Sequence, residues 1–215
     1  MFRKYLAAAA LCALITGTAT ATTFQFDTDP FAGTNVLNSP GRQVVGGELF
    51  LPTFSLANDV FSFDRAAFNM GNAVSFADNV ASLLPTSGAN VIVLQNTDND
   101  NNPLTPFGAG NAADLIAAQV TQSGPGVFIY MNSALNLRRL VYSADLSDNT
   151  ADLKILARIL DPTGPAAIST LPNFTANNFQ ITAATPEPAS FALLGLGLVA
   201  GSGVWRRRSK KRSAA

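Results

Sequence analysis

Val127-Phe128-Ile129-Tyr130-Met131, then Leu137-Arg138-Arg139-Leu140-Val141-Tyr142, then Leu153-Lys154-Ile155-Leu156-Ala157-Arg158-Ile159-Leu160: these three runs decide the fold. Each is dense in the β-branched and aromatic residues that suit a pleated surface. Short polar turns separate them, so they read as an antiparallel meander. The third run would also fit a short helix. Arg138 and Arg139 are neighbours in one strand and therefore lie on opposite faces. The inward one is expected to form an ion pair with an aspartate.

Working upstream, Val91-Ile92-Val93-Leu94 is a continuous apolar run and reads as a buried strand. Phe24-Gln25-Phe26-Asp27 and Val60-Phe61-Ser62-Phe63-Asp64 alternate, which predicts two half-buried strands. Gly46-Gly47 between Gln43-Val44-Val45 and Glu48-Leu49-Phe50-Leu51 predicts a hairpin. Val74, Ala77, Val80, Ala81 and Leu84 have helical spacing, stopped by Pro85. A second helix is predicted over Ala112–Gln122, capped by Asn111. Downstream, Asp161-Pro162-Thr163-Gly164 is a turn, and 165–184 reads as weakly structured or one short helix. The expected class is α+β: a single domain dominated by an antiparallel β-sheet, with about two helices. A β-sandwich is the alternative.

Composition narrows the chemistry. The whole chain is neutral, but residues 22–184 hold six basic and thirteen acidic side chains, a net charge of −7. Such a body does not suit nucleic acid, whose phosphates require basic surface. The chain has no histidine, and its one cysteine, Cys12, lies near the N-terminus. This removes the usual metal ligand and the Ser-His-Asp and Cys-His arrangements. Fifteen phenylalanines against one tryptophan predict a core built on phenylalanine.

Few constellations in the body suggest a site. Asp98, Asp100 and Asn102 alternate in the run Asn96-Thr97-Asp98-Asn99-Asp100-Asn101-Asn102 and offer the hard oxygens that calcium prefers. The run is no EF-hand, because Pro103 and Ala109 stand where glycine and glutamate are required. The competing reading is a solvated turn. Asp145, Asp148 and Asp152 could hydrolyse glycosides as paired carboxylates, although turn chemistry accounts for all three. Gly108-Ala109-Gly110 lacks the third glycine and the lysine of a phosphate loop.

The two ends carry addresses. Met1-Phe2-Arg3-Lys4 is a basic start, Tyr5–Ile15 an apolar core, and Ala19-Thr20-Ala21 a small-x-small cleavage site. Together they read as a secretory signal peptide over 1–21, implying export through a translocon, with Thr22 as the mature start. At the other end, Thr185-Pro186-Glu187-Pro188 runs into the uncharged stretch Ala189–Trp205. That stretch spans about 26 Å as a helix, the short end of what crosses a bilayer core of roughly 30 Å. The basic cluster Arg206, Arg207, Arg208, Lys210, Lys211 and Arg212 follows and holds the end in the cytoplasm. Pro186 and Pro188 keep the segment before the span extended and exposed.

This combination of Pro-Glu-Pro (Pro186, Glu187, Pro188), one hydrophobic span and a basic end closely resembles the PEP-CTERM sorting signal of bacterial surface proteins. The resemblance covers 185–212 and implies recognition by the membrane peptidase exosortase. It also implies a membrane-anchored precursor, delivery to the cell surface or extracellular matrix, and a setting of exopolysaccharide. The expected organisation is therefore a signal peptide (1–21), a mainly β ectodomain (22–184) and a sorting signal with one transmembrane helix (185–215). The ectodomain resembles no characterised family. A non-enzymatic surface protein without a cofactor is the expected function, and a secreted carboxylate-dependent hydrolase is the alternative.

Overall fold

Ten strands and two helices make up residues 20–183, the part of the chain that the computed structural model describes. The signal peptide and the transmembrane span predicted above lie outside the described residues. Among the described residues no helix is long and apolar enough to cross a membrane. In chain order the strands are β1 (Thr23–Phe26), β2 (Val44–Val45), β3 (Leu49–Leu51), β4 (Val60–Asp64), β5 (Phe76–Asn79), β6 (Val91–Leu94), β7 (Gly126–Asn132), β8 (Leu137–Ser143), β9 (Leu153–Ile159) and β10 (Phe179–Thr182). Helix α1 (Ala109–Ala117) lies between β6 and β7, and α2 (Gly164–Ser169) follows β9.

Strands β7, β8 and β9 form the expected antiparallel meander. The sheet around it is mixed. Its order is β2-β9-β8-β7-β6-β5, with β3 also on β9, and β5, β6 and β7 run parallel. A second sheet, β1-β4-β10, is wholly parallel. The fold is sheet-dominated with two helices, but antiparallel pairing is confined to the meander. The cause between β6 and β7 is α1, which carries the chain back so that the next strand starts at the same end.

Alternation along the strands sorts the side chains into two cores. Val91, Val93, Val127, Ile129, Met131, Leu140 and Tyr142 face the phenylalanines of the small sheet. Their neighbours Ile92, Leu94, Phe128, Tyr130 and Val141 face Ala112, Ala113 and Ile116 of α1. The large sheet is thus the middle of three layers, buried on both faces, as its continuous apolar runs require. A bulge keeps β9 in step. Leu140 pairs with Ala157 but Val141 with Ile155, leaving Leu156 as the extra residue. Leu153 and Ile155 consequently face α1, while Ala157 and Ile159 face the phenylalanines. Gly126, at the start of β7, permits close packing: a Cβ there would lie 2.5 Å from Leu146 Cδ1 and 2.6 Å from Asn90 O.

The core between the sheets is built on phenylalanine, as the composition suggests. Phe54 and Phe61 stack with centroids 4.4 Å apart, and Phe24, Phe26 and Phe179 surround Phe61. The cluster extends through Phe63 and Phe68 to Tyr142. Burial, and secondarily the Asp29 charge, pushes the Tyr142 hydroxyl up to about 12, and it donates to Phe68 O at 3.0 Å.

Four local expectations need correction. The segment around Val74–Leu84 is strand β5 and a 3-10 turn, not a helix. Its apolar residues fit helical spacing, but edge pairing with β6 holds the chain extended. Gly46-Gly47 does not turn a hairpin, because β2 and β3 follow one another along β9, both parallel to it. The loop between them stands opposite the bulge at Leu156. Helix α1 begins three residues before Ala112, with Gly108 as N-cap donating its N–H to Asn111 Oδ1 at 3.0 Å. Finally, 165–184 holds the one short helix expected, α2, but also strand β10, which Asn178 fixes by donating to Leu56 O and Asp59 O.

Candidate functional site

Glu48 is the only glutamate in the body and the centre of its densest charge cluster. The loop between β2 and β3 carries it over the edge of the large sheet. There it meets Arg139 at 3.0 Å and Arg158. These two arginines are directly paired across β8 and β9, so without Glu48 two like charges would face each other. Phe50 lies against Arg158, 5.2 Å from guanidinium to ring centre. Burial alone would raise the Glu48 carboxyl, but bonds from its own loop backbone and both arginines hold it below its ordinary 4.5.

The two arginines of β8 do lie on opposite faces, but the expected aspartate pair does not form. Arg138 is fully buried and donates to Asp161 O and to Thr170 Oγ1, at 2.7 and 2.9 Å, with its guanidinium over the Phe174 ring. Burial lowers it to about 10, against the opposing charge of Asp161. The ion pair belongs to Arg139 and uses glutamate. A lone glutamate at the head of Glu48-Leu49-Phe50-Leu51 was the available signal, because in a strand it shares a face with Phe50 and must meet a cation if covered.

Removing this carboxylate should be costly. Glu48→Ala leaves both arginines without their carboxylate, and because the cluster is only part-buried the cost should be about 2 kcal/mol, below that of a fully buried pair. A pH comparison isolates the charge. A depressed carboxyl stabilises the fold fully above its unfolded value, and that stabilisation is lost as pH falls through the folded value. Wild type should therefore lose more stability than Glu48→Gln between pH 7 and pH 3 in denaturant unfolding. Equal losses would show that the arginines need no partner.

A groove of about 500 Å³ beside β1 is lined by apolar residues such as Phe26, Leu49 and Phe68 and by the polar Gln25, Thr28, Asp29 and Lys154. That volume is in the range of small-molecule sites. Two of its charged groups already serve the fold: Asp29 accepts the Phe31 N–H at 2.9 Å, and Lys154 donates to Gly46 O.

The other carboxylates singled out by sequence are engaged in turns. Asp98 accepts the Asp100 N–H, Asp100 the Asn102 N–H, and Asn102 the Leu104 N–H, at 3.0, 2.9 and 3.1 Å. Each is a side chain closing its own turn two residues on. The bond from Asp100 lowers the Asp98 carboxyl. Among the described residues no three carboxylates, cysteines or histidines are grouped to hold a metal ion. Asp145, Asp148 and Asp152 are each bonded to their own neighbours. Asp145 binds Ser123, Gly124 and Ser147, Asp148 binds Thr150, and Asp152 accepts the Gln43 N–H. Asp145 and Asp148 are both held low, Asp145 by those bonds against its burial and Asp148 chiefly by the Thr150 N–H. Asp78 alone among the shifted carboxyls is raised, by burial, and its partner is Gln95.

The cleavage residue Ala19, the sorting residues Pro186, Glu187 and Pro188, and the basic cluster lie outside the described residues; Ala21 is exposed just before β1. What the described part fixes is where the tail begins. Strand β10 ends at Thr182, whose carbonyl accepts the Arg65 N–H at 2.8 Å. The chain carries the PEP-CTERM protein-sorting motif, matched over residues 184–208. That motif implies an exported, membrane-anchored precursor that exosortase processes and that is sorted to the cell surface. The chain matches no curated protein and no solved structure.

Proposed function

We propose that this chain is a surface or extracellular-matrix protein sorted by exosortase, with a non-enzymatic body that associates with exopolysaccharide. The observation that carries this is the sorting motif placed directly after β10. Support for a non-enzymatic body comes from the engaged turn carboxylates and from the absence of histidine in the chain. The open groove beside β1 gives the body a surface for a polar ligand with apolar patches, such as a polysaccharide chain. Deleting the chain from Thr185 onward, followed by fractionation of cells and medium, tests the sorting. The full chain should pass through a membrane-held precursor, and the truncated one should be exported without ever joining the membrane. An unchanged distribution would overturn the reading.

A further inference from the structure

Asp59 is buried in the loop that leads into β4, and both its oxygens are bonded: Oδ2 accepts the Ser55 N–H at 2.8 Å, and Oδ1 accepts the N–H of Thr22 at 2.9 Å. Thr22 is the residue that the signal-peptide reading makes the first of the mature chain. Its carbonyl is also engaged, accepting the Val60 N–H at 2.9 Å. Asn178 closes the same corner by donating to Asp59 O at 3.1 Å. The starts of all three strands of the small sheet therefore meet around this one carboxylate.

We propose that Asp59 is the receptor for the new N-terminus, so that export processing completes an ion pair inside the fold. Hydrolysis of the Ala21–Thr22 bond places the water oxygen on the Ala21 carbonyl, releasing a carboxylate. The Thr22 nitrogen is left as an amine that takes up a proton. The same nitrogen that donates one amide hydrogen bond before cleavage then faces Asp59 as an ammonium. A charge-assisted bond of that kind is roughly twice as strong as a neutral one. Asp59 is the charged group in contact with the nitrogen; Ser55, Val60 and Asn178 complete the corner without charge. Thr22 itself is exposed, which keeps the bond accessible to the peptidase. The inference rests on cleavage after Ala21 and is independent of the sorting tail.

The test is made on the full chain exported by its host. N-terminal mass spectrometry first fixes the cleavage point; a start other than Thr22 overturns both the cleavage reading and this inference. The α-amine is then labelled with an amine reagent across a range of pH. An unpaired α-amine titrates at about 7.7–8.0. Wild type should titrate above that range and react several-fold more slowly at neutral pH than the Asp59→Asn variant. Because Asp59→Asn also weakens the loop, a second variant keeps Asp59 and adds one alanine after Ala21. Its displaced amine should titrate in the ordinary range while the core stays folded by near-ultraviolet circular dichroism. The sign follows from the raised value: the extra stability is full below the unfolded value and lost as pH rises through the folded one. An α-amine that titrates ordinarily in wild type, or alike in all three chains, would overturn the proposal.

Discussion

Alanine in place of Phe61 should lower the stability of the body by about 4 kcal/mol, the usual cost of emptying a phenylalanine site in a core. Phe61 is fully buried at the centre of the small sheet and stacks on Phe54 at 4.4 Å. It also contacts Phe24, Phe26 and Phe179, so its loss removes the common partner of rings from several elements. Three of those rings belong to the short strands β1 and β10, so the loss is felt on both sides of β4. The midpoint of thermal unfolding should fall by about 8–16 °C for a body of this size. Leu104→Ala, at a site 89% exposed, is the control and should stay within about 0.5 kcal/mol of wild type. If the two variants melt together, the phenylalanine cluster is not what joins the sheets.

The second large effect is on processing. With Pro186, Glu187 and Pro188 all replaced by alanine, a host that has exosortase should accumulate an uncleaved precursor in the membrane. Proline fixes φ and disfavours helix, whereas alanine is the best helix former, so the substitution changes what a peptidase would meet at this position. Immunoblots of membrane and medium fractions read the result. Release at the wild-type rate would mean that the span and basic end act as a plain anchor.

The meander was legible because its three runs are long and separated by turns too short for a crossover. The parallel part was less so, and β6-α1-β7 shows why. Val91–Leu94, a helix and Val127–Met131 in sequence form a β-α-β unit, and such a helical connection implies parallel strands. Joining the pieces required weighing the connection as well as the runs. The pairing of β4 with β1 and β10 is different in kind. It brings together segments 37 and more than 100 positions apart, held by ring packing that no local pattern records. At the sites, the Asp98–Asn102 run was recognisable as a turn from its Asx spacing. Apart from being the lone glutamate of the body, Glu48 is silent in the sequence, since its importance comes from a register that sets Arg139 opposite Arg158.

Because β1, β4 and β10 all run the same way, the chain enters the small sheet at one end and leaves it at the other. Thr182 is fixed in that sheet, and Pro186 follows four residues later. A fully extended chain covers at most about 3.5 Å per residue, so the sorting segment stays within about 14 Å of Thr182, and Ala189 within about 25 Å. A body of this length has a radius of gyration of about 15 Å, so the tether is shorter than the body is wide. Whatever holds the tail therefore holds the Thr182 end of the small sheet close by, while the Thr22 corner lies at the opposite end of that sheet.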